Sequence, residues 1–226
     1  MKWSNYIKIY NENENPASTI FHKYISKNLA KIIVFFSLKL GFSANVISTL
    51  SFIMILIASL SLIQFNNIIV FIIATQLSYG FDCADGVVAR INKNGSSFGK
   101  FFDLLLDRLN QLIFFVSTIF YFIINFEVNF FSITIILFSV SLYFMYSISA
   151  MLRGLVFKTR RGKGIENQNI FSFIVKIIYE FIDTGIFMLI ISVSLIFNVY
   201  FEIIIFYGII SFFLIIGVIY KAYSEK

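Results

Sequence analysis

The chain has 226 residues, is 59% hydrophobic and only 13% charged, and carries a net charge of +6. This excludes a soluble two-layer domain, which needs a polar outer face. The single cysteine, Cys83, excludes an intrachain disulfide. The basic residues gather into no soluble basic domain, so nucleic acid is not an expected partner.

Residues 1–17 read as a polar N-terminal segment, irregular as far as Pro16. They lack the short apolar core and small-residue cleavage site of a signal peptide. Residues 18–42 read as an interfacial amphipathic helix. Ile20, Phe21, Tyr24, Ile25, Leu29, Ile32, Ile33, Phe36 and Leu40 recur at three- and four-residue spacing, with Lys23, Lys27, Lys31 and Lys39 between them. The lysines suit anionic headgroups, and His22 is expected to lie at the same interface. A short span over Leu29–Leu40 is the competing reading, but a dozen residues with two lysines are too few to cross.

Residues 43–226 read as a six-helix transmembrane domain, which makes the fold all-α and polytopic. The expected spans are Asn45–Gln64, Asn67–Ile91, Ser97–Asn125, Asn129–Leu152, Phe173–Asn198 and Tyr200–Tyr220. Each can cross ~30 Å of hydrocarbon at ~1.5 Å per residue. A barrel would alternate apolar and polar residues, and these runs do not. All 18 Lys and Arg fall in the N-terminal segment, around the second and fourth links, and in the tail. The positive-inside bias therefore predicts a multi-pass protein of the cell membrane with both termini cytosolic.

Four of the five aspartates, Asp82, Asp85, Asp103 and Asp107, fall within one short window at the cytosolic ends of the second and third spans. At ~100° per residue, Asp85, Gly86 and Ala89 lie about −60°, +40° and −20° from Asp82, one face with two carboxylates and two very small residues. Gly99, Asp103 and Asp107 share a face of the next helix at four-residue spacing. Two helices joined by a short link are expected to be antiparallel neighbours, with the acidic faces opposed. Carboxylates opposed at membrane depth repel and are costly to desolvate, so a positive partner is required. Hard divalent cations, Mg²⁺ or Mn²⁺, fit an all-oxygen donor set, and four carboxylates can bridge two ions of the kind that hold phosphate oxygens. Arg90, at about +80°, can reach a phosphate or pair with an aspartate.

Asp82-x-x-Asp85-Gly86-x-x-Ala89-Arg90, eight residues, then Gly99-x-x-x-Asp103-x-x-x-Asp107 resembles the signature of the CDP-alcohol phosphotransferase (phosphatidyltransferase) family, with every fixed position present. The six-span layout with a preceding interfacial helix also resembles that family. Ala44-Asn45-Val46-Ile47-Ser48 is similar to the Pro-Asn-x-x-Thr segment that opens its first span, with Ala44 in place of the proline and Ser48 in place of the threonine. The resemblance implies a metal-dependent enzyme of phospholipid biosynthesis. It would transfer a phosphate-linked alcohol, phosphatidyl from CDP-diacylglycerol, to an acceptor alcohol and release CMP. It makes Asp82, Asp85 and Asp103 metal ligands, and Asp107 the general base and a further ligand. Asn45, Asp82, Gly86, Ala89, Arg90 and Gly99 would hold the CDP-alcohol. A homodimer is also in keeping with the family, although no distinct interface is visible.

Other readings compete at several positions. The aspartates could mark a span boundary, or serve a non-enzymatic transporter or lipid-binding protein as a cation site. Transport would call for further charges deep in the later spans, which hold only Lys176, Glu180, Asp183 and Glu202, all toward their ends. Arg153, Arg160 and Arg161 read either as a pocket for a phosphorylated acceptor, such as glycerol 3-phosphate or inositol phosphate, or as ordinary topology. Glu180 and Asp183 read as a structural ion pair with arginines, or as contacts for acceptor hydroxyls. Cys83 lies off the acidic face and reads as packing.

Overall fold

The computed structural model describes residues 3–14, 19–156, 178 and 180–224. Among these there are helices and no strands. In chain order the helices are α1 (Trp3–Asn13), α2 (Lys27–Leu40) led in by a π-helical turn (His22–Ser26), α3 (Ala44–Ile63), α4 (Ile68–Ile91), α5 (Ser97–Asn125), α6 (Phe130–Val156), α7 (Thr184–Ile196) and α8 (Tyr200–Ser224).

The boundaries follow local chemistry. Ser43 and Asn67 cap α3 and α4, their side chains accepting from the amides of Val46 at 3.4 Å and Val70 at 3.0 Å. Gly41 ends α2 at φ +72°, a left-handed conformation that disfavours a side chain, and lets the Phe42 amide close back on the Ser37 carbonyl at 2.9 Å.

Among the described residues five helices, α3, α4, α5, α6 and α8, are long and apolar enough to cross a membrane. They coincide with five of the six expected spans to within a few residues. The expected fifth span, Phe173–Asn198, lies partly outside the described residues. Its described part is interrupted at Asp183, whose carbonyl accepts the Phe187 amide at 2.8 Å and whose carboxylate accepts the Gly185 amide at 3.1 Å. α7 starts there and, at 13 residues, is short for a crossing.

The chain divides into two compact units. Unit one comprises residues 1–118 and 179–192. Its core is Tyr6 and Tyr10 of α1, Ala30, Ile33 and Val34 of α2, Ile47 of α3, and Ala84, Val87 and Val88 of α4. α2 crosses α4 at Gly80, where any side chain would collide with Leu29. Unit two comprises residues 119–178 and 193–226. There α6 packs on α8 through Ser139 and Gly208, where an added Cβ would fall 2.8 Å from the Ser139 backbone. Phe122 and Tyr200 lie 5.1 Å apart in the same unit.

Polarity is distributed as a bilayer requires. Ser51, Thr75, Ser78, Asn110, Ser117 and Ser211 are buried, whereas Ile73, Phe130, Phe138 and Phe213 are exposed. Small polar side chains close the helix contacts and bulky apolar ones face outward.

The expectation of an irregular segment up to Pro16 is corrected: Trp3–Asn13 is a helix. Tyr6 and Tyr10, one turn apart, are fully buried. Their hydroxyls donate to the carbonyls of Lys31 at 2.5 Å and Lys27 at 3.3 Å, and Trp3 meets Phe35 edge-on at 4.9 Å. Glu14 pairs with Lys27 at 3.1 Å. Polar composition hid an aromatic stripe that tertiary contact makes helical.

Candidate metal centre

The C-terminal half of α4 and the first turns of α5 bring the acidic window together. Ligand oxygens of Asp82, Asp85 and Asp103 all lie within 4.8 Å of one another. Asp107 lies outside that set, with its carboxyl against Asp82, while Asp103 lies against Asp85. Pairing of 82 with 107 and of 85 with 103 is the pattern of two antiparallel helices, as the short link predicts. Asp85 is the most enclosed, at 5% exposure.

Two residues at the start of α3 complete this end of unit one. The Ser48 hydroxyl donates to Asp85 Oδ2 at 2.5 Å and is itself buried. A charge-assisted bond of this kind fixes which carboxylate oxygen remains turned toward the other aspartates. Asn45 Oδ1 lies 3.2 Å, and Ser96 Oγ 3.1 Å, from where a Cβ on Gly99 would stand. Only glycine fits there without displacing one of them, and the first turns of α3 and α5 meet at that point.

Arg90 folds back along α4. Its Nη1 lies 3.4 Å from the position of a Cβ on Gly86, one turn earlier, and it is within electrostatic reach of Asp85. Its Nε donates to the Asn13 carbonyl at 2.6 Å. Ala89 sits beside it on α4, partly exposed.

The three gathered carboxylates offer a hard, all-oxygen donor set on two rigid helices, one of them oriented by a hydroxyl. That arrangement fits Mg²⁺ or Mn²⁺. Among the described residues it is the one group of three or more acidic, His or Cys side chains with ligand atoms this close.

The other expected residues fall elsewhere. Arg153 is in the last turn of α6, in unit two. Arg160 and Arg161 lie outside the described residues. Glu180 and Asp183 engage the start of the helical segment that leads into α2. Glu180 Oε2 accepts the Ile20 amide at 2.7 Å, and Asp183 Oδ2 accepts the Thr19 hydroxyl at 2.9 Å. Tyr79 also donates to Asp183 at 3.3 Å. These acids suit a helix N-terminus, a use that spacing along their own helix could not disclose. His22 is half-buried and turns inward, its Nδ1 4.0 Å from Cys83 Sγ. Burial lowers its pKa, and the charge of Asp183 opposes that shift.

A family model described as CDP-alcohol phosphatidyltransferase matches residues 42–218. No curated protein matches the chain. The matched stretch contains every aspartate of the window and begins just after α2.

Proposed function

The chain belongs to the CDP-alcohol phosphatidyltransferase family, and from that premise we propose that it transfers phosphatidyl from CDP-diacylglycerol to a phosphorylated acceptor alcohol, such as glycerol 3-phosphate or inositol phosphate. CMP is released, and the product enters phospholipid synthesis. The family reaction moves a substituted phosphate group from a CDP-alcohol to an alcohol. The donor, the acceptor and the residue roles are our reading.

The observation that carries it is the convergence of Asp82, Asp85 and Asp103 within 4.8 Å, with Asp107 against Asp82. In this reading Asp82, Asp85 and Asp103 hold a divalent ion, and Asp107 shares in a second. Bound there, Mg²⁺ or Mn²⁺ supplies the positive charge that phosphate oxygens need as negative charge moves onto the departing CMP.

The acceptor oxygen attacks the β-phosphorus of the donor, and the bond from that phosphorus to the bridging oxygen breaks, leaving CMP. Asp107 takes the proton from the acceptor hydroxyl. Arg90 binds the diphosphate through its Nη groups, over the space that Gly86 and Ala89 leave open. Asn45, beside Gly99, binds the nucleotide. Arg153, Arg160 and Arg161 recognise the acceptor phosphate. The exposed Lys23 and Lys39 rest on anionic headgroups with Ile20, Tyr24, Ile32 and Phe36 in the acyl boundary, where all four are exposed. The basic links support a site on the cytosolic side, where a lipid donor can keep its acyl chains in the bilayer.

The test is CMP release by purified protein with CDP-diacylglycerol, Mg²⁺ or Mn²⁺ and a panel of acceptors. Metal-dependent release with a phosphorylated acceptor, reduced about 10²- to 10⁴-fold by Asp107→Asn, is expected. Full turnover in that variant would refute Asp107 as the base. No release from folded, metal-loaded protein with any acceptor would refute the donor assignment.

A further inference from the structure

Helix α1 lies before the stretch that matches the family, yet its last turn is bonded to a residue of the acidic window. The chemistry of that contact is specific. The last carbonyls of a helix have no partner within it and carry the negative end of the helix dipole. One of them, that of Asn13, accepts Arg90 Nε at 2.6 Å. A guanidinium held through Nε has its two Nη groups left as a fork, the edge that grips a phosphate through two parallel bonds. Here that edge is turned back over Gly86, next to Asp85 and one turn from Asp82.

α1 is well placed to hold this position. Tyr6 and Tyr10 are fully buried, their hydroxyls bond to carbonyls of α2, and Glu14 pairs with Lys27 at 3.1 Å. The Asn13 side-chain Nδ2 also donates to the Ile9 carbonyl at 2.9 Å, which ties the side chain back onto the same helix end. Arg90 itself is exposed. Without such a partner its long side chain would sample many rotamers, and ordering it would oppose ligand binding.

We infer that α1 is a positioning element for the donor site: its terminal carbonyl at Asn13 holds Arg90 by Nε so that the Nη fork faces the donor diphosphate. The inference rests on the proposed reading of Arg90 as a diphosphate contact. It adds a device outside the matched family region that sets donor affinity while contributing no group to the reacting atoms.

The test uses the full-length protein in detergent or nanodiscs. Trp3, the sole tryptophan, sits on α1 against Tyr6 and Phe35, so its emission reports docking. The variant Tyr6→Ala/Tyr10→Ala should shift that emission to the red. It should also raise the donor KM about three- to tenfold, the scale of one ordinary hydrogen bond at an exposed site, with kcat and the acceptor KM within about twofold. Glu14→Lys, a milder change at the same helix end, should move donor KM in the same direction by less. Arg90→Lys should raise donor KM, since lysine has neither an Nε for Asn13 to hold nor an Nη fork. In that background, undocking α1 should add nothing, because the two act through one contact.

Three results on undocking α1 would overturn the inference. The first is a red shift with unchanged donor KM. The second is a lower KM on undocking, the mark of a helix that withholds Arg90. The third is an undocking effect that multiplies in full with Arg90→Lys. If Arg90→Lys alone leaves donor KM unchanged, the reading of Arg90 as a diphosphate contact fails, and this inference with it. If Arg90→Lys raises KM and undocking does not, only the role of α1 fails.

Discussion

Ser48→Ala removes one oxygen atom from unit one and leaves every aspartate in place. The lost bond is a hydroxyl donating at 2.5 Å to Asp85, a carboxylate 5% exposed. Hydrogen bonds to charged groups contribute about 1.5–3 kcal/mol, and at about 1.4 kcal/mol per tenfold this becomes a factor of about 10 to 150. Changes to a residue that orients a metal ligand cost about 10- to 100-fold in metal affinity, which agrees. The assay is CMP release titrated with Mg²⁺. The half-saturating Mg²⁺ concentration should rise about 10- to 100-fold in Ser48→Ala, while turnover at saturating Mg²⁺ recovers most of the wild-type rate. Ser48→Thr keeps the hydroxyl and should stay close to wild type. An unchanged Mg²⁺ requirement in Ser48→Ala would refute the argument that this hydroxyl orients Asp85 as a ligand. A rate loss that saturating Mg²⁺ does not relieve would show that the hydroxyl acts on substrate.

Removal of divalent metal by a chelator should lower the melting temperature of the folded protein, and Asp103→Asn should reduce that dependence; differential scanning fluorimetry reads both. Gly208→Val should lower the melting temperature through about 1–3 kcal/mol of overpacking, because its Cβ would fall 2.8 Å from the Ser139 backbone. The pKa of His22 is lowered mainly by burial. The unfolded chain therefore binds the proton first, and the stability held above pH ~6.5 is lost as pH falls through the lowered value. His22→Asn should flatten the melting temperature over that range; an unchanged slope would place the titration elsewhere.

The aspartate window was legible because helical periodicity and composition pointed the same way. Four-residue spacing on α5 and three-residue spacing on α4 define faces without any knowledge of tertiary structure. The short link then opposes those faces, and the observed pairing of 82 with 107 follows. Five of the six expected spans were legible for the same reason, since length and apolarity suffice. What escaped detection depends on contacts remote in sequence. Tyr6 and Tyr10 look like two polar-segment tyrosines until the carbonyls of Lys31 and Lys27 are placed beside them. Glu180 and Asp183 cap a helix start roughly 160 residues earlier in the chain, a distance no periodicity can bridge. The division at Asp183 was hidden because Phe173–Asn198 is apolar on both sides of it, and hydropathy does not register one acid that satisfies its own backbone.

The cost of the acidic cluster explains its place in the chain. Two unit charges 4.8 Å apart, the outer limit of separation in this set, repel by about 3.5 kcal/mol in surroundings of effective dielectric ~20, and three such pairs, if all ionised, by about 10 kcal/mol. That is comparable to the whole folding stability of a typical domain. Packing the same carboxylates at mid-bilayer would add their desolvation with no water within reach. At the ends of α4 and α5, beside a polar link, the cost falls. A cation bound to the folded state alone then returns stability in proportion to RT ln(1 + [L]/Kd), about 2.7 kcal/mol at a hundredfold excess over Kd. A bound cation would thus couple fold and ligand, because a cluster of like charges gains most from a positive partner. The same reasoning accounts for Arg90. A fixed guanidinium pressed directly onto the aspartates would compete with a cation, whereas one held aside by the Asn13 carbonyl would not.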